Sequence, residues 1–345
     1  MIKTPVNMPD NISGTKIEKR GVLLLNMGGP DSLAAVKPFL YNLFSDRIII
    51  KLGPSILQKP LAYLIAKLKT KDSRLMYEKI GGSSPIKHIT MEQARMLEDL
   101  LNGNSNGQFD YKVYVGMRYW HPFIKDTIKM MYNSGIRQMA AISLYPHYSL
   151  ATSGSSFIEL ERSLREYKIL CKSVRSWPIN KLYVELLVEL INEGLADFGN
   201  NVCSDILFSA HSLPEYFIKN GDPYVSELNL TVHSVKEKLP ESLNIHVAYQ
   251  SKGSSHVKWL SPSTKDKIAE LAQNQKCKHL LVVPISFVSD HVETLYEIDI
   301  LYKEQAKTLG IELKRTKSLN MHTTFIDVLK GLVQDTYQVI NSCFK

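Results

Sequence analysis

Cysteine is scarce in this sequence of 345 residues, which contains only Cys171, Cys203, Cys277 and Cys343 and no C-x-x-C pair. Thiolates spaced so widely do not supply the paired ligands of a structural zinc site. Isolated cysteines in a chain of this length are typical of proteins from reducing compartments. We therefore expect buried or incidental thiols.

Long hydrophobic runs are also absent, because no uninterrupted apolar stretch reaches the roughly 20 residues that a membrane-spanning helix needs. The start of the chain, MIKTPVNMPDNISGTKIEKR, lacks the apolar core of a signal peptide and is not rich in arginine like a transit peptide. We interpret residues 1–20 as a flexible polar leader. The localisation expected for such a chain is cytoplasmic.

Two common nucleotide motifs are missing, since the sequence has neither G-x-G-x-x-G nor G-x-x-x-x-G-K-[ST]. The zinc-protease pattern H-E-x-x-H is absent as well, and no nucleophile elbow accompanies the hydroxyl-rich stretch SLYPHYSLATSGSS. Nucleotide binding and these two hydrolase chemistries are therefore not indicated. The glycines of NMGGP instead fit a tight strand-to-helix turn or the close approach of a flat ligand.

Positive charge is in excess, with 42 Lys and Arg against 34 Asp and Glu and a formal net charge of +8. Such a chain favours an acidic partner: nucleic acid, an anionic membrane surface or a carboxylate-bearing ligand. The lysines are scattered, and no basic run interleaves with aromatic residues as a stacking platform would require. We therefore expect no nucleic-acid partner.

What the sequence does contain is a series of short apolar runs separated by helix-length amphipathic segments. Short runs rich in Val, Ile and Leu predict parallel strands that are buried on both faces, and their alternation with helices predicts doubly wound α/β layers. We expect two similar α/β domains at 21–175 and 176–322, with a C-terminal helix within 323–345 that packs back on the first domain. The six clearest runs are GVLLLNMGGP, YKVYVGMRYWHP, IRQMAAISLYPHYS, SDILFSAHSLP, NIHVAYQSKG and HLLVVPISFVSD.

Polar turns follow these strands, and ligands of open α/β sheets bind beyond the carboxyl ends of the strands. His211 comes directly after one strand, and Glu293 and Glu297 come four residues apart after another. On an α-helix this spacing places both carboxylates on one face. Such residues could form an N/O site for a divalent metal or a proton relay. Alternatively, His211 caps a turn, while Asp290 and Glu293 form a helix capping box and Glu297 faces solvent.

Residues 48–71 combine bulky apolar side chains with five lysines and no acidic residue. A basic, apolar segment interrupted by prolines could lie at a membrane interface or form the lip of an apolar pocket. An ordinary buried helix with snorkelling lysines explains the same pattern.

Several motifs, taken together and in their order along the chain, resemble those of the ferrochelatase family, whose members insert Fe²⁺ into a porphyrin. The resemblance covers about residues 21–320, and its most specific part is SAHSLP followed some eighty residues later by SDHVETLYEID. The other matching motifs are GVLLLNMGGP, IGGSSPI, RYWHP, YPHYSLATSGSS and GDPY.

The resemblance implies two Rossmann-like domains, each with a four-stranded parallel sheet, that face each other across a porphyrin cleft. It implies that His211 is the metal ligand and proton acceptor, and that Glu293 is its metal-binding partner across the cleft. Glu297 continues the acidic path, and His291 lies beside them. The remaining substrate-binding positions form two groups. Four of them wall the macrocycle: Met27, Tyr145, Trp259 and Phe287. Two polar positions meet propionates or order the pocket: Arg118 and Ser84.

The implied partners are porphyrin and ferrous iron. Residues 48–71 would make peripheral contact with an anionic membrane. The assembly would be a monomer or a homodimer. Members with a [2Fe–2S] cluster ligate it with an internal cysteine and a cysteine-rich tail. Here the internal position is Leu150 and the tail has only Cys343, so we expect no cluster and no permanently bound cofactor. An insertion in KGSSHVKW makes Trp259 the weakest correspondence. A cobalt or nickel chelatase, an enzyme for coproporphyrin and a non-catalytic porphyrin carrier remain alternatives.

Overall fold

The computed structural model describes residues 17–105, 107–199, 204–253, 257–274 and 277–342. Most of the expected leader, together with Cys203 and Cys343, lies outside these described residues. The first strand already begins at Glu18, three residues before the expected start of the first domain at Gly21.

The first sheet contains four parallel strands in the order β2-β1-β3-β4: β1 (Glu18–Asn26), β2 (Phe109–Met117), β3 (Gln138–Ser143) and β4 (Leu170–Val174). The order places β1 and β3 at the centre, and Val22 to Leu25 of β1 are completely or almost completely buried. The connecting helices are α1 (Val36–Ser45), α2 (Gln58–Lys79), α3 (Ile86–Gly103), α4 (Ile124–Asn133) and α5 (Ser155–Leu164), with a 3₁₀ turn at Ser55–Leu57 and a π-helical turn at Leu150–Gly154.

The second sheet repeats this plan with the order β6-β5-β7-β8: β5 (Asp205–His211), β6 (Asn244–Gln250), β7 (His279–Pro284) and β8 (Glu312–Arg315). All of its neighbouring strands are parallel. Its helices are α6 (Lys181–Ala196), α7 (Glu215–Lys219), α8 (Tyr224–Lys236), α9 (Thr264–Asn274), a π-helix at Glu293–Tyr302 and α10 (Lys303–Thr308). The predicted fold class, two doubly wound α/β units with four-stranded parallel sheets, is confirmed.

The final helix, α11 (Thr323–Ser342), packs against α3, β3 and β4 and also against α6. Tyr337 on this helix is buried, and its hydroxyl donates to the carbonyl of Gly21 in β1 at 2.7 Å. The guanidinium of Arg20 lies 4.6 Å from the Tyr337 ring centroid and 3.3 Å from that of Phe109. The helix is thus attached to the first sheet by a hydrogen bond and by stacking of a buried arginine.

None of the helices in the described part of the chain is long and apolar enough to cross a membrane. The helix α2, which contains much of the basic apolar segment, buries only Gln58, Ala62, Ala66 and Tyr77. Its outer face exposes apolar side chains, so it is not the ordinary buried helix that was one explanation of the sequence pattern.

Candidate active site

The centre of the candidate site is a pair formed by His211 and Glu293. His211 is the last residue of β5, and its Nδ1 lies 3.0 Å from Oε2 of Glu293, the first residue of the second π-helical segment. Glu293 Oε2 also accepts a hydrogen bond from Gln250 Nε2 at 3.1 Å. Because a carboxylate can only accept, the neutral imidazole carries its proton on Nδ1, and Nε2 keeps its lone pair.

This arrangement corrects one expectation from the resemblance. Glu293 lies beside His211, not opposite it across the cleft, because β5 and β7 are neighbouring strands and the chain reaches Glu293 shortly after β7. Each side chain retains partial exposure, 27% for His211 and 13% for Glu293. The pair therefore presents a nitrogen and a carboxylate side by side, both partly exposed.

The two groups stabilise each other's charged forms. Burial by itself raises the pKa of the Glu293 carboxyl, but the neighbouring His211 reverses this effect, and the pKa falls to about 2. Burial lowers the pKa of His211, whereas the charge and hydrogen bond of Glu293 outweigh burial and raise it above its usual value. Glu293 therefore remains an anion throughout the neutral range, which suits a carboxylate that attracts a divalent cation.

Glu297 occupies a different environment from Glu293. Its Oε2 accepts hydrogen bonds from Ser251 Oγ at 2.8 Å and from the Tyr302 hydroxyl at 3.3 Å. Burial and the charge of Glu293 raise the pKa of Glu297 to about 7. Two carboxylates four residues apart thus have separated pKa values, as expected where one holds charge and the other can exchange a proton.

The helix that bears these glutamates differs from the prediction. It is a π-helix over Glu293–Tyr302, not an α-helix, and its N-cap position is Val292. The alternative in which Asp290 and Glu293 form a capping box is wrong, because Glu293 turns to His211. Asp290 instead accepts hydrogen bonds from four other side chains, those of Thr294, Ser318, Asn320 and Arg315. π-Helices are rare, and they are frequently found at functional sites.

His291 lies beside the pair, as the resemblance implied, but it is only 4% exposed. Its Nδ1 donates to the carbonyl of Ser289 at 3.0 Å, and its Nε2 is 3.9 Å from Glu293 Oε1. Burial lowers its pKa, so the ring is neutral. The Phe287 ring contacts both histidines, with its centroid 5.9 Å from that of His211 and 4.1 Å from that of His291.

The four expected wall residues are distributed over both halves of the molecule. The Tyr145 ring centroid is 6.0 Å from that of Phe287, so these two aromatics meet next to the pair. Met27 belongs to an apolar cluster of the first half that also contains Val292 at the start of the π-helix. Trp259 is partly buried and packs closely over Gly253, where a Cβ would collide with the indole. Residues 254–256, part of the stretch KGSSHVKW in which an extra residue was suggested, lie outside the described residues.

Ser84 and Arg118 are engaged within the protein. Ser84 is buried, and its Oγ would lie 2.6 Å from a Cβ placed on Gly29. Arg118 donates to Asp46 Oδ2 at 2.9 Å and to Ser155 Oγ at 2.8 Å. Of the two functions implied for these positions, their contacts favour ordering of the pocket.

Comparison with known proteins shows the family of the chain. A family model described as Ferrochelatase matches residues 19–337. The chain belongs to the ferrochelatase family. The family resemblance predicted from the motifs is confirmed, and the chain is therefore a metal chelatase, a lyase whose family inserts metal into porphyrin for haem synthesis.

Two ferrochelatases of known source show how close the similarity is. That of Geotalea uraniireducens is 49% identical over 322 residues, covering 92% of this chain and 98% of the relative. That of Desulfotalea psychrophila is 47% identical over 318 residues, covering 92% of this chain and 97% of the relative. Among solved structures, SirB from Bacillus subtilis with Fe³⁺ shares the fold with a TM-score of 0.53 at 11% identity, covering 93% of this chain and 96% of that one.

Fe²⁺ is a substrate of the reaction of this family. At the position that bears the internal cluster cysteine in some members, Leu150 begins the first π-helical turn and is 38% exposed. Cys343 lies outside the described residues. The absence of a [2Fe–2S] cluster stays a prediction from the sequence.

Several residues around the ferrochelatase site were not singled out from the sequence. Gln250 and Ser251 bind the two glutamates from the end of β6, whose polar turn YQSKG was the available signal. Tyr77 of α2 also lies near the site, since it packs in the same apolar cluster as Met27 and Val292. Asp46, the partner of Arg118, follows α1 and had no signal in the sequence.

Proposed function

We propose that this chain inserts Fe²⁺ into protoporphyrin IX to form protohaem, the terminal step of haem biosynthesis. The observation that carries the proposal is the His211–Glu293 pair, with an Nδ1–Oε2 distance of 3.0 Å and a partly exposed imidazole. The roles below are assigned by combining this geometry with the family resemblance.

His211 would receive a proton from the porphyrin. Two pyrrole N–H protons must leave before the four nitrogens bind Fe²⁺, so the reaction releases two protons and transfers no electrons. A neutral imidazole whose Nδ1–H is held by a carboxylate has its Nε2 lone pair available as a general base or as a metal ligand. The fixed tautomer supports both roles for His211.

Glu293 would attract the incoming metal and bind it beside His211. A metal bound to both residues would take the place of the proton on Nδ1, because the carboxylate lies on that side of the ring. Imidazole and carboxylate form an N/O ligand set that suits a divalent metal, and two ligands hold it more weakly than a tetrapyrrole chelate does. Glu297, whose pKa is about 7, would continue the acidic path and accept a proton near neutral pH. His291 would help to orient the pair, because its buried ring lies 3.9 Å from Glu293 Oε1.

The walls of the cleft would hold and bend the macrocycle. Exposure of a pyrrole nitrogen lone pair requires the flat ring to be distorted, and apolar and aromatic walls supply strain of this type. Met27, Tyr145, Phe287 and Trp259 would form these walls. Arg118 and Ser84 would keep the pocket ordered through their contacts with Asp46 and Gly29.

The proposed substrates can be tested with purified protein under anaerobic conditions. Protoporphyrin IX and coproporphyrin III are each offered with Fe²⁺, Co²⁺ or Ni²⁺, and the porphyrin absorption bands are followed. We expect the highest kcat/KM for Fe²⁺ with protoporphyrin IX. A higher value with coproporphyrin, or with cobalt or nickel, would assign the chain to one of the related chelatase activities. Tight porphyrin binding without metal insertion would identify a carrier.

We also propose a cytoplasmic protein that touches an anionic membrane through the segment 48–71. Ile56 and Leu68 are 82% and 69% exposed, and Leu57, Tyr63 and Leu64 are exposed near them. The five lysines of the segment provide the positive charge that anionic headgroups attract, at about 1 kcal/mol for each residue near the surface. The segment would lie on the membrane and not span it.

This contact predicts binding to vesicles that contain anionic lipid. We expect the protein to sediment with phosphatidylglycerol vesicles at low salt and to dissociate as salt rises, since screening weakens the attraction. The double variant Ile56→Ser/Leu68→Ser should lower the partition coefficient by about tenfold or more, because each inserted apolar side chain contributes roughly 1.5–3 kcal/mol when it is fully buried. Val339→Ser, at another exposed apolar position, serves as the matched control. Absence of binding at low salt would disprove the contact.

We further propose that residues 21–175 and 176–322 are the two domains, and that 323–345 form a C-terminal segment attached to the first domain. The hydrogen bond from Tyr337 to Gly21 and the stacking of Arg20 support this attachment.

A further inference from the structure

The backbone of His211 lies where the β5–β7 ladder has already ended. The last paired residues are Ser209 and Pro284, and the N–H of Ile285 donates to the carbonyl of Ser209 at 3.1 Å. Beyond this point no strand on the β7 side satisfies the backbone N–H and C=O of His211. Buried backbone groups need partners, so something other than the sheet must supply them.

Two side-chain hydroxyls supply these partners. The N–H of His211 donates to Ser286 Oγ at 2.7 Å, and the Tyr224 hydroxyl donates to the His211 carbonyl at 2.9 Å. The Ser286 and Tyr224 hydroxyl oxygens are 2.8 Å apart. Because the single proton of the tyrosine is used on the carbonyl, Ser286 is the donor to Tyr224. The bonds form a closed circuit from His211 N–H through Ser286 and Tyr224 to His211 C=O.

The hydroxyls of the circuit are buried, and Tyr224 is held in place at the start of α8. Tyr224 is 2% exposed and Ser286 is 4% exposed. Tyr224 is the first residue of α8, and its N–H donates to Asp222 Oδ1 at 3.1 Å. The other carboxylate oxygen of Asp222 accepts from Ser149 Oγ at 2.9 Å and from the N–H of Leu150 at 2.7 Å. The start of α8 therefore connects His211 with the loop that follows β3.

Glu227, an acidic residue within the first turn of α8, strengthens this connection. Glu227 accepts from the N–H of Tyr148 at 2.7 Å and from Ser176 Oγ at 3.0 Å. The loop fixed in this way also contains Tyr145, which meets Phe287 next to His211. The first turn of α8 and the residues just before it thus contact both the end of β5 in the second sheet and the loop after β3 in the first sheet, which contains Tyr145.

We propose that Tyr224 and Ser286 are positioning residues of the metal-insertion reaction, which replace the missing ladder bonds and hold the His211 imidazole against Glu293. The inference rests on the function proposed above for His211. Neither residue needs to touch the substrate, because each acts through the backbone of His211.

The test compares Tyr224→Phe, Ser286→Ala and the double variant in the Fe²⁺ and protoporphyrin IX assay. We expect each single variant to lower kcat about tenfold while the KM for porphyrin stays within about twofold, since misplacement of a catalytic group affects the chemical step. The double variant should lose little more than either single variant, because one break already opens the circuit. If kcat of the double variant fell about 100-fold, the product of the two single effects, the two residues would act independently and the proposed circuit would be wrong.

Tyr337→Phe is the matched control, since it removes an equally buried hydroxyl that donates to the carbonyl of Gly21 far from the site. We expect it to lower the midpoint of thermal unfolding as Tyr224→Phe does, but to leave kcat unchanged. An equal fall of kcat in both variants would reduce the role of Tyr224 to stability and overturn the inference. Wild type and His211→Ala belong in the same series. If wild type fails to insert metal, the proposed function is wrong; if wild type and Tyr224→Phe are equally active, only the positioning role is wrong.

Discussion

His211→Ala is expected to lower kcat for Fe²⁺ insertion by about 10³-fold, because a positioned general base contributes between roughly 10² and 10⁴. Porphyrin binding, measured by fluorescence quenching, should change by less than about threefold, since the aromatic walls are untouched. The variant should fold, because Ser286 and Tyr224 bind the backbone of His211 and not its ring.

His233→Ala is a suitable control for this variant. His233 lies on α8, and its side chain is 71% exposed next to Glu237. Its removal should leave both kcat and the dissociation constant for porphyrin unchanged. Insertion activity within about fivefold of wild type in His211→Ala would show that another group accepts the pyrrole proton.

Glu293→Gln is expected to lower kcat about 100-fold and to raise the KM for Fe²⁺. The substitution keeps the size of the side chain, but it removes the negative charge that attracts the metal and stabilises the imidazolium that forms when His211 takes a proton. Steady-state kinetics with varied Fe²⁺ would measure both effects. Glu304→Gln, at an exposed position of α10, should behave like wild type.

The same variant should change the pH dependence of the reaction in a defined direction. His211 acts as a base only when neutral, so activity falls as pH drops through its pKa. Burial lowers this pKa and Glu293 outweighs burial to raise it above the usual value, so loss of the Glu293 charge lowers it again. The acid limb of the kcat profile should therefore move to lower pH. If the acid limb of the kcat profile of Glu293→Gln did not move and kcat stayed near that of wild type, Glu293 would not influence the protonation of His211 during the reaction.

The central strands of the fold could be predicted from the sequence because they are buried on both faces. The runs at β1, β3, β5 and β7 are nearly continuous in Val, Ile, Leu and Ala, as burial between two helical layers requires. The edge strands β4 and β8 were absent from the six predicted runs. Their side chains are largely exposed or half-buried, so LCKSV and ELKR have little hydrophobic pattern, and only pairing with β3 and β7 makes them strands.

Local composition and motif order are enough to predict the alternation of strands and helices, the family, and the chemical groups at the strand ends. Three features of the site follow instead from the three-dimensional packing: Glu293 lies beside His211, the helix after β7 is a π-helix, and Tyr224 reaches the His211 carbonyl. His211 is 82 residues from Glu293 and 13 from Tyr224 in the chain. Contacts across such separations depend on which strands are neighbours and where their ladders end, and no local pattern encodes either.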